Sequence, residues 1–168
     1  MEQTIECHES LPKAQRYQLF LQDYRLLIEG ETDELSLLAN TAAALHDAFG
    51  FFWVGFYLVK DEQWLSLGPF QGPVACTRIK HGRGVCGTAW AEERTLVVPD
   101  VDAFPGHIAC SSLSRSEIVV PICLTHNETH HIYGVLDIDS TRLHDFDEDD
   151  RLGLEAVVEV LANALAAC

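Results

Sequence analysis

The spacing of apolar residues changes twice along this chain, and that change limits the fold more than any other feature. Between 12 and 50 they recur at three- and four-residue intervals, as on a helix. Pro12 opens a helical stretch over 12–29 and Gly30 follows it. Thr32 is placed to cap a second helix, with Asp33 and Glu34 in its first turn. Leu35, Leu38, Ala42, Leu45 and Phe49 carry it to Gly50. Between Phe51 and Ser140 the chain reads as several short strands with a small helix among them. From Asp145 to Ala166 it is helical again, with acids at the head where they suit the helix dipole. Helices at both ends and short strands between them define an α+β domain with a central antiparallel sheet.

The strand region divides at its turn residues. Phe51 to Val59 is a first strand, with Trp53, Gly55 and Tyr57 on one face and Val54, Phe56 and Leu58 on the other. Trp64 to Leu67 is a second, closed by Gly68-Pro69-Phe70-Gln71-Gly72-Pro73. Val74 to Ile79, containing Cys76, is a third. His81 to Gly87 is a Gly-rich bend holding Cys86, followed by a short helix from Thr88 to Glu93. Thr95 to Val98 is a fourth strand and Pro99 to Ser114 a long polar loop. Ser116–Leu124 and His130–Ser140 form a hairpin around 125–129.

Charge and size then exclude several function classes. The 168 residues suit one domain, 1–168, with 1–50 as its N-terminal helical segment. A formal charge of −15 argues against nucleic acid and anionic membrane surfaces, which need clustered Lys and Arg. No apolar run reaches the roughly 20 residues of a membrane span. Met1 to Glu6 lacks the basic start and apolar middle of a signal peptide. The expected compartment is therefore cytoplasmic. There the six cysteines stay reduced unless they do redox chemistry or bind metal.

Val135-Leu136-Asp137-Ile138-Asp139 carries the strongest chemical signal. Alternation places Leu136 and Ile138 on one face and Val135, Asp137 and Asp139 on the other. Two acids on one strand face repel each other and are costly to bury unpaired. Glu117, in the partner strand, adds a third. The face is either a pocket for a cation, organic ammonium or metal, or a solvated surface. An acid-only cluster suits an ammonium better than zinc or calcium, and His126, His130 and His131 read as exposed turn residues.

Cys110 lies in a loop beside His107 and Arg115, either of which could stabilise a thiolate. Cys7, Cys123 and Cys168 read as small buried core residues. Trp53 and Tyr57 read as core packing or as a wall for a thioether methyl.

Six segments in order resemble the free methionine-R-sulfoxide reductases, which are GAF-domain enzymes. They are Gly55-Phe56-Tyr57, Leu67 to Gly72, Gly82 to Thr88, Gly106 to Cys110, Ser116 to Pro121 and Gly134 to Ser140. The resemblance implies a GAF-type sheet with the N- and C-terminal helices packed on one face. It implies that Cys110 attacks the sulfoxide sulfur of free methionine-R-sulfoxide and becomes a sulfenic acid. Cys76 would resolve it as a disulfide, with Cys86 as a secondary thiol and thioredoxin as reductant. Glu117, Asp137 and Asp139 would hold the substrate, with Glu117 donating a proton, and Trp53 and Tyr57 would line the methyl side. No metal or organic cofactor is implied, and a homodimer joined through the first and last helices is. Two features depart from the family pattern: Ser111 stands where Asp often follows the nucleophile, and the turn at 125–131 looks long. The competing readings are a non-catalytic small-ligand-sensing GAF module and, more distantly, a metal-binding or redox-sensing protein.

Overall fold

The computed structural model describes residues 5–168; Met1 to Thr4, within the acidic run compared with a signal peptide, lie outside the described residues. Helix α1 spans Lys13–Leu27 and α2 Glu34–Phe49. Strand β1 is Trp53–Val59, β2 Trp64–Gln71 and β3 Arg78–Lys80. Helix α3 is Gly84–Glu92 and β4 is Leu96–Val98, followed by a 3₁₀ turn at Val101–Ala103. The long strands β5, Ser116–His126, and β6, Thr129–Ser140, lead into α4, Glu148–Leu165. The strands form one antiparallel six-stranded sheet in the order β3-β2-β1-β6-β5-β4.

Each face of the sheet has its own core. Val54, Phe56, Ile118, Val120, Ile122, Leu136 and Ile138 point toward α1, α2 and α4. Trp53, Tyr57, Val119 and Val135 point the other way, under α3 and the loops around it. The expected α+β class and the helices on one face are both found. No helix among the described residues is long and apolar enough to cross a membrane.

Several local expectations are corrected. Asp33, not Thr32, caps α2, because its carboxylate accepts from the Ser36 amide at 2.8 Å. Strand β2 runs through Gly68 and Pro69 to Gln71, since β1 pairs along that length. Cys76 lies in the connection before β3, not on a strand. Helix α3 begins at Gly84, so Cys86 is in its first turn and not in a bend. The β5–β6 hairpin closes in two residues, Asn127 and Glu128, both with positive φ of 48° and 66°. That matches the twist of the flanking strands and removes the apparent long turn. Cys7, Cys123 and Cys168 are exposed, not core. Cys123 follows a register shift at Ile122/Cys123 in the β5–β6 pairing.

The helical ends are tied by one buried acid. Asp150 is 2% exposed, accepts from the Tyr17 hydroxyl at 2.7 Å and pairs with Lys13 at 2.6 Å. It also accepts from the Asp147 amide in a capping box. Removing one partner of a buried ion pair leaves the other uncompensated. Asp150→Ala is therefore expected to lower unfolding free energy by about 3 kcal/mol. Urea unfolding would show the midpoint fall with the slope unchanged; an unshifted midpoint would refute the tie.

Candidate active site

Three strand registers build the floor. Trp53 pairs with Asp139, which pairs with Glu117, so an aromatic ring and two carboxyls form one row. Gly55, Asp137 and Val119 form the next, and Tyr57, Val135 and Pro121 the third. Gly55 is required here: a Cβ would fall on the Phe70 side chain and lie 2.8 Å from the Trp53 ring. Trp53 stacks with Phe70 at 5.2 Å and with Tyr57 at 5.9 Å between centroids.

The acid face is covered, not solvated. Helix α3 lies over it, held close because a Cβ on Gly87 would strike the Lys80 carbonyl. Glu117 and Asp137 are each 6% exposed, and Asp139 is half-buried. Burial raises all three carboxyl pKa values. Asp137 is pushed up to about 6, and the neighbouring acids add to the rise in Glu117 and Asp139. A hydroxyl on Ser114 partly offsets this at Asp139. Opposed carboxyls without cations are destabilising unless they hold protons or a ligand.

Cys86 reaches down from the first turn of α3, with its Sγ 3.9 Å from Glu117 Oε1. A helix N-terminus favours thiolate by roughly 1 kcal/mol or less. Full burial opposes it by several times that. Burial and the facing Asp137 and Glu117 accordingly hold the Cys86 thiol well above its ordinary pKa. His107 Nε2 stands 3.9 Å from Glu117 Oε2, and burial lowers the imidazole pKa. The expectation that His107 sits beside Cys110 thus needs a second contact: it also faces the acid floor. Arg115 is exposed, its backbone amide bonded to the Ser140 carbonyl.

Cys110 and Cys76 are joined as a disulfide, with Cα atoms 5.3 Å apart. The bond ties the 104–114 loop to the 72–77 connection above the acids. Two floor residues hold that connection in a way the sequence did not indicate. Tyr57 donates its hydroxyl to the Cys76 carbonyl at 2.9 Å, and Trp53 donates Nε1–H to the Pro73 carbonyl at 3.0 Å. Nine residues named from the sequence, Trp53, Tyr57, Cys76, Cys86, His107, Cys110, Glu117, Asp137 and Asp139, meet here, and the alternative Arg115 does not; Cys76 joins through its disulfide, and the other eight line one cavity of about 40 Å³.

The acid floor, with its raised carboxyl pKa values, and the cysteine pair above it thus share one cavity on the sheet face under α3. The GAF domain family model matches residues 33–166. GAF domain-containing protein A of Dictyostelium discoideum is 55% identical over 90% of this chain and 93% of its own. The free methionine-R-sulfoxide reductase of Escherichia coli is 46% identical over 92% of this chain and 91% of its own. The X-ray structure of the free methionine-R-sulfoxide reductase of Neisseria meningitidis with its substrate superposes with a TM-score of 0.91. It is 51% identical and covers 99% of this chain and 97% of that one. The chain belongs to the free methionine-R-sulfoxide reductases, an oxidoreductase family within the GAF domains.

Proposed function

We propose that this chain reduces free L-methionine-R-sulfoxide to methionine through Cys110. The observation that carries the reading is the Cys76–Cys110 disulfide placed above the carboxyls of Glu117, Asp137 and Asp139. The Cys110 thiolate attacks the sulfoxide sulfur, and the oxygen leaves as the hydroxyl of a Cys110 sulfenic acid. The sulfur of methionine gains the two electrons that Cys110 loses. Cys76 then displaces that hydroxyl as water and forms the disulfide. A dithiol of the thioredoxin type exchanges with the disulfide and restores both thiols.

The acids have two roles in this reading. A carboxyl kept protonated by burial donates to the departing oxygen, and Glu117 is assigned that role. Asp137 and Asp139 receive the α-ammonium of a free amino acid, which a residue within a peptide lacks. Trp53 and Tyr57 line the methyl side and also hold the Cys76 segment. Cys86 serves as a secondary thiol. A cytoplasmic location, thioredoxin as the reductant and a homodimer through α1 and α4 complete the proposal; a chain whose thiols must cycle suits a reducing compartment.

NADPH consumption coupled through thioredoxin and its reductase tests the reaction. Turnover is expected on free L-methionine-R-sulfoxide and not on the S epimer. The N-acetylated R-sulfoxide should react at least about thirtyfold more slowly, since losing one partner of a buried charge pair costs about 2 kcal/mol or more. Equal rates would remove the ammonium from the account. No turnover on any substrate, with folded and reduced protein, would leave a ligand-binding GAF module.

A further inference from the structure

We propose that Cys86, Glu117 and Asp137 form a binding site for one divalent cation of zinc-like character. The ligand atoms of these three side chains, the Cys86 sulfur and one carboxylate oxygen each from Glu117 and Asp137, lie within 4.8 Å of one another. All three residues are buried. Among the described residues they are the one such group of His, Cys, Asp or Glu donors.

A second observation points the same way. Asp137 is 6% exposed, and its Oδ1 is buried with no hydrogen-bond partner. A buried polar atom without a partner costs about 1–3 kcal/mol, more if charged, and a cation held with Cys86 and Glu117, which already share hydrogen bonds with this carboxyl, would offset that cost. The cavity of about 40 Å³ above it has room for an ion and a few waters, not for an amino acid.

The donor set selects the cation. Calcium and magnesium take six or more oxygens, and a thiol is a poor ligand for either. Zinc accepts one sulfur and two oxygens, with bonds of about 2.0–2.3 Å that place tetrahedral donors about 3.3–3.8 Å apart. Cys86 Sγ and Glu117 Oε1 are already 3.9 Å apart, so a movement of about 1 Å or less closes the set. His107 Nε2, 3.9 Å from Glu117 Oε2, lies beside the set and outside it. Binding displaces protons from the thiol and carboxyls and oxidises nothing. The ion would occupy the floor that receives the substrate in the proposed reaction, and that consequence alone rests on the reductase reading.

The test uses the full chain with Cys7, Cys123 and Cys168 changed to serine and the Cys76–Cys110 disulfide intact. Cys86 is then the one free thiol. Cobalt(II) is titrated and the thiolate-to-cobalt absorption followed in the near ultraviolet, then zinc is added. One equivalent should raise the band and zinc should remove it. Cys86→Ser should abolish the band. Asp137→Asn should weaken binding at least about tenfold, no less than the loss of an outer-sphere partner. If either variant fails to fold by circular dichroism, Glu117→Gln takes its place with the tenfold expectation. No band, a band that survives Cys86→Ser, or unchanged affinity without the carboxylate overturns the site. The titration involves no turnover, so its failure leaves the reductase reading standing, and failure of turnover leaves the titration interpretable.

Discussion

Cys110→Ser is expected to abolish methionine formation, by at least on the order of a thousandfold, the scale on which removing a nucleophile acts. Cys76→Ser should behave differently. Pre-reduced Cys76→Ser protein should release about one methionine per chain in a single turnover and then stall as a sulfenic acid. The two cysteines are joined across the same cavity, so a steady-state assay alone shows both variants as inactive. A rapid-quench count of methionine, with a dimedone label for the sulfenic acid, separates them. A burst from Cys110→Ser and none from Cys76→Ser would exchange their roles. A burst from both would move the chemistry to Cys86, which a buried and strongly raised thiol pKa makes a poor nucleophile.

The second large effect is expected at Glu117. Glu117→Gln should lower kcat by about a hundred- to a thousandfold, the range of a positioned proton donor. The pH profile gives the sign. Burial, with Asp137 and Asp139 adding to it, raises the Glu117 carboxyl, so the donor form persists to higher pH than in a free glutamate. Wild-type kcat should fall as pH rises through that titration, and Glu117→Gln should lose that limb. Cys86 on α3, Asp137 and Asp139 on β6 and His107 on the loop all face this carboxyl. The limb therefore belongs to the group as a whole and not to one residue. A variant that keeps both kcat and the alkaline limb would assign the proton to Asp137 or Asp139.

The floor of this site was legible in the sequence because strand alternation is local. Trp53, Gly55 and Tyr57 share a face, as do Val135, Asp137 and Asp139, and the structure places both triplets side by side. What covers the floor was not legible. Alternation cannot separate a buried face from a solvated one, so it left the acids open to both readings. The deciding features are non-local: α3 settling close through Gly87, and the loop drawn down through Cys110. Cys76 read as a strand residue within Val74 to Ile79, yet its carbonyl bonds to a tyrosine hydroxyl and not to a ladder partner. Cys123 read as core because free cysteines usually are, yet it is exposed. The family resemblance supplied the pairing of Cys110 with Cys76, which the residues alone did not.

The small cavity under the disulfide has a kinetic meaning. With Cys110 pinned to a connection that Trp53 and Tyr57 hold down, the space over the acids is about 40 Å³. In the proposed cycle sulfoxide and electron donor then do not share the protein: one meets the open thiols, the other the closed bridge. In the proposed cycle the two reactants alternate by double displacement, with no ternary complex. Spent protein does not sequester sulfoxide while it waits for electrons, so a shortage of reductant slows repair without removing substrate from the pool.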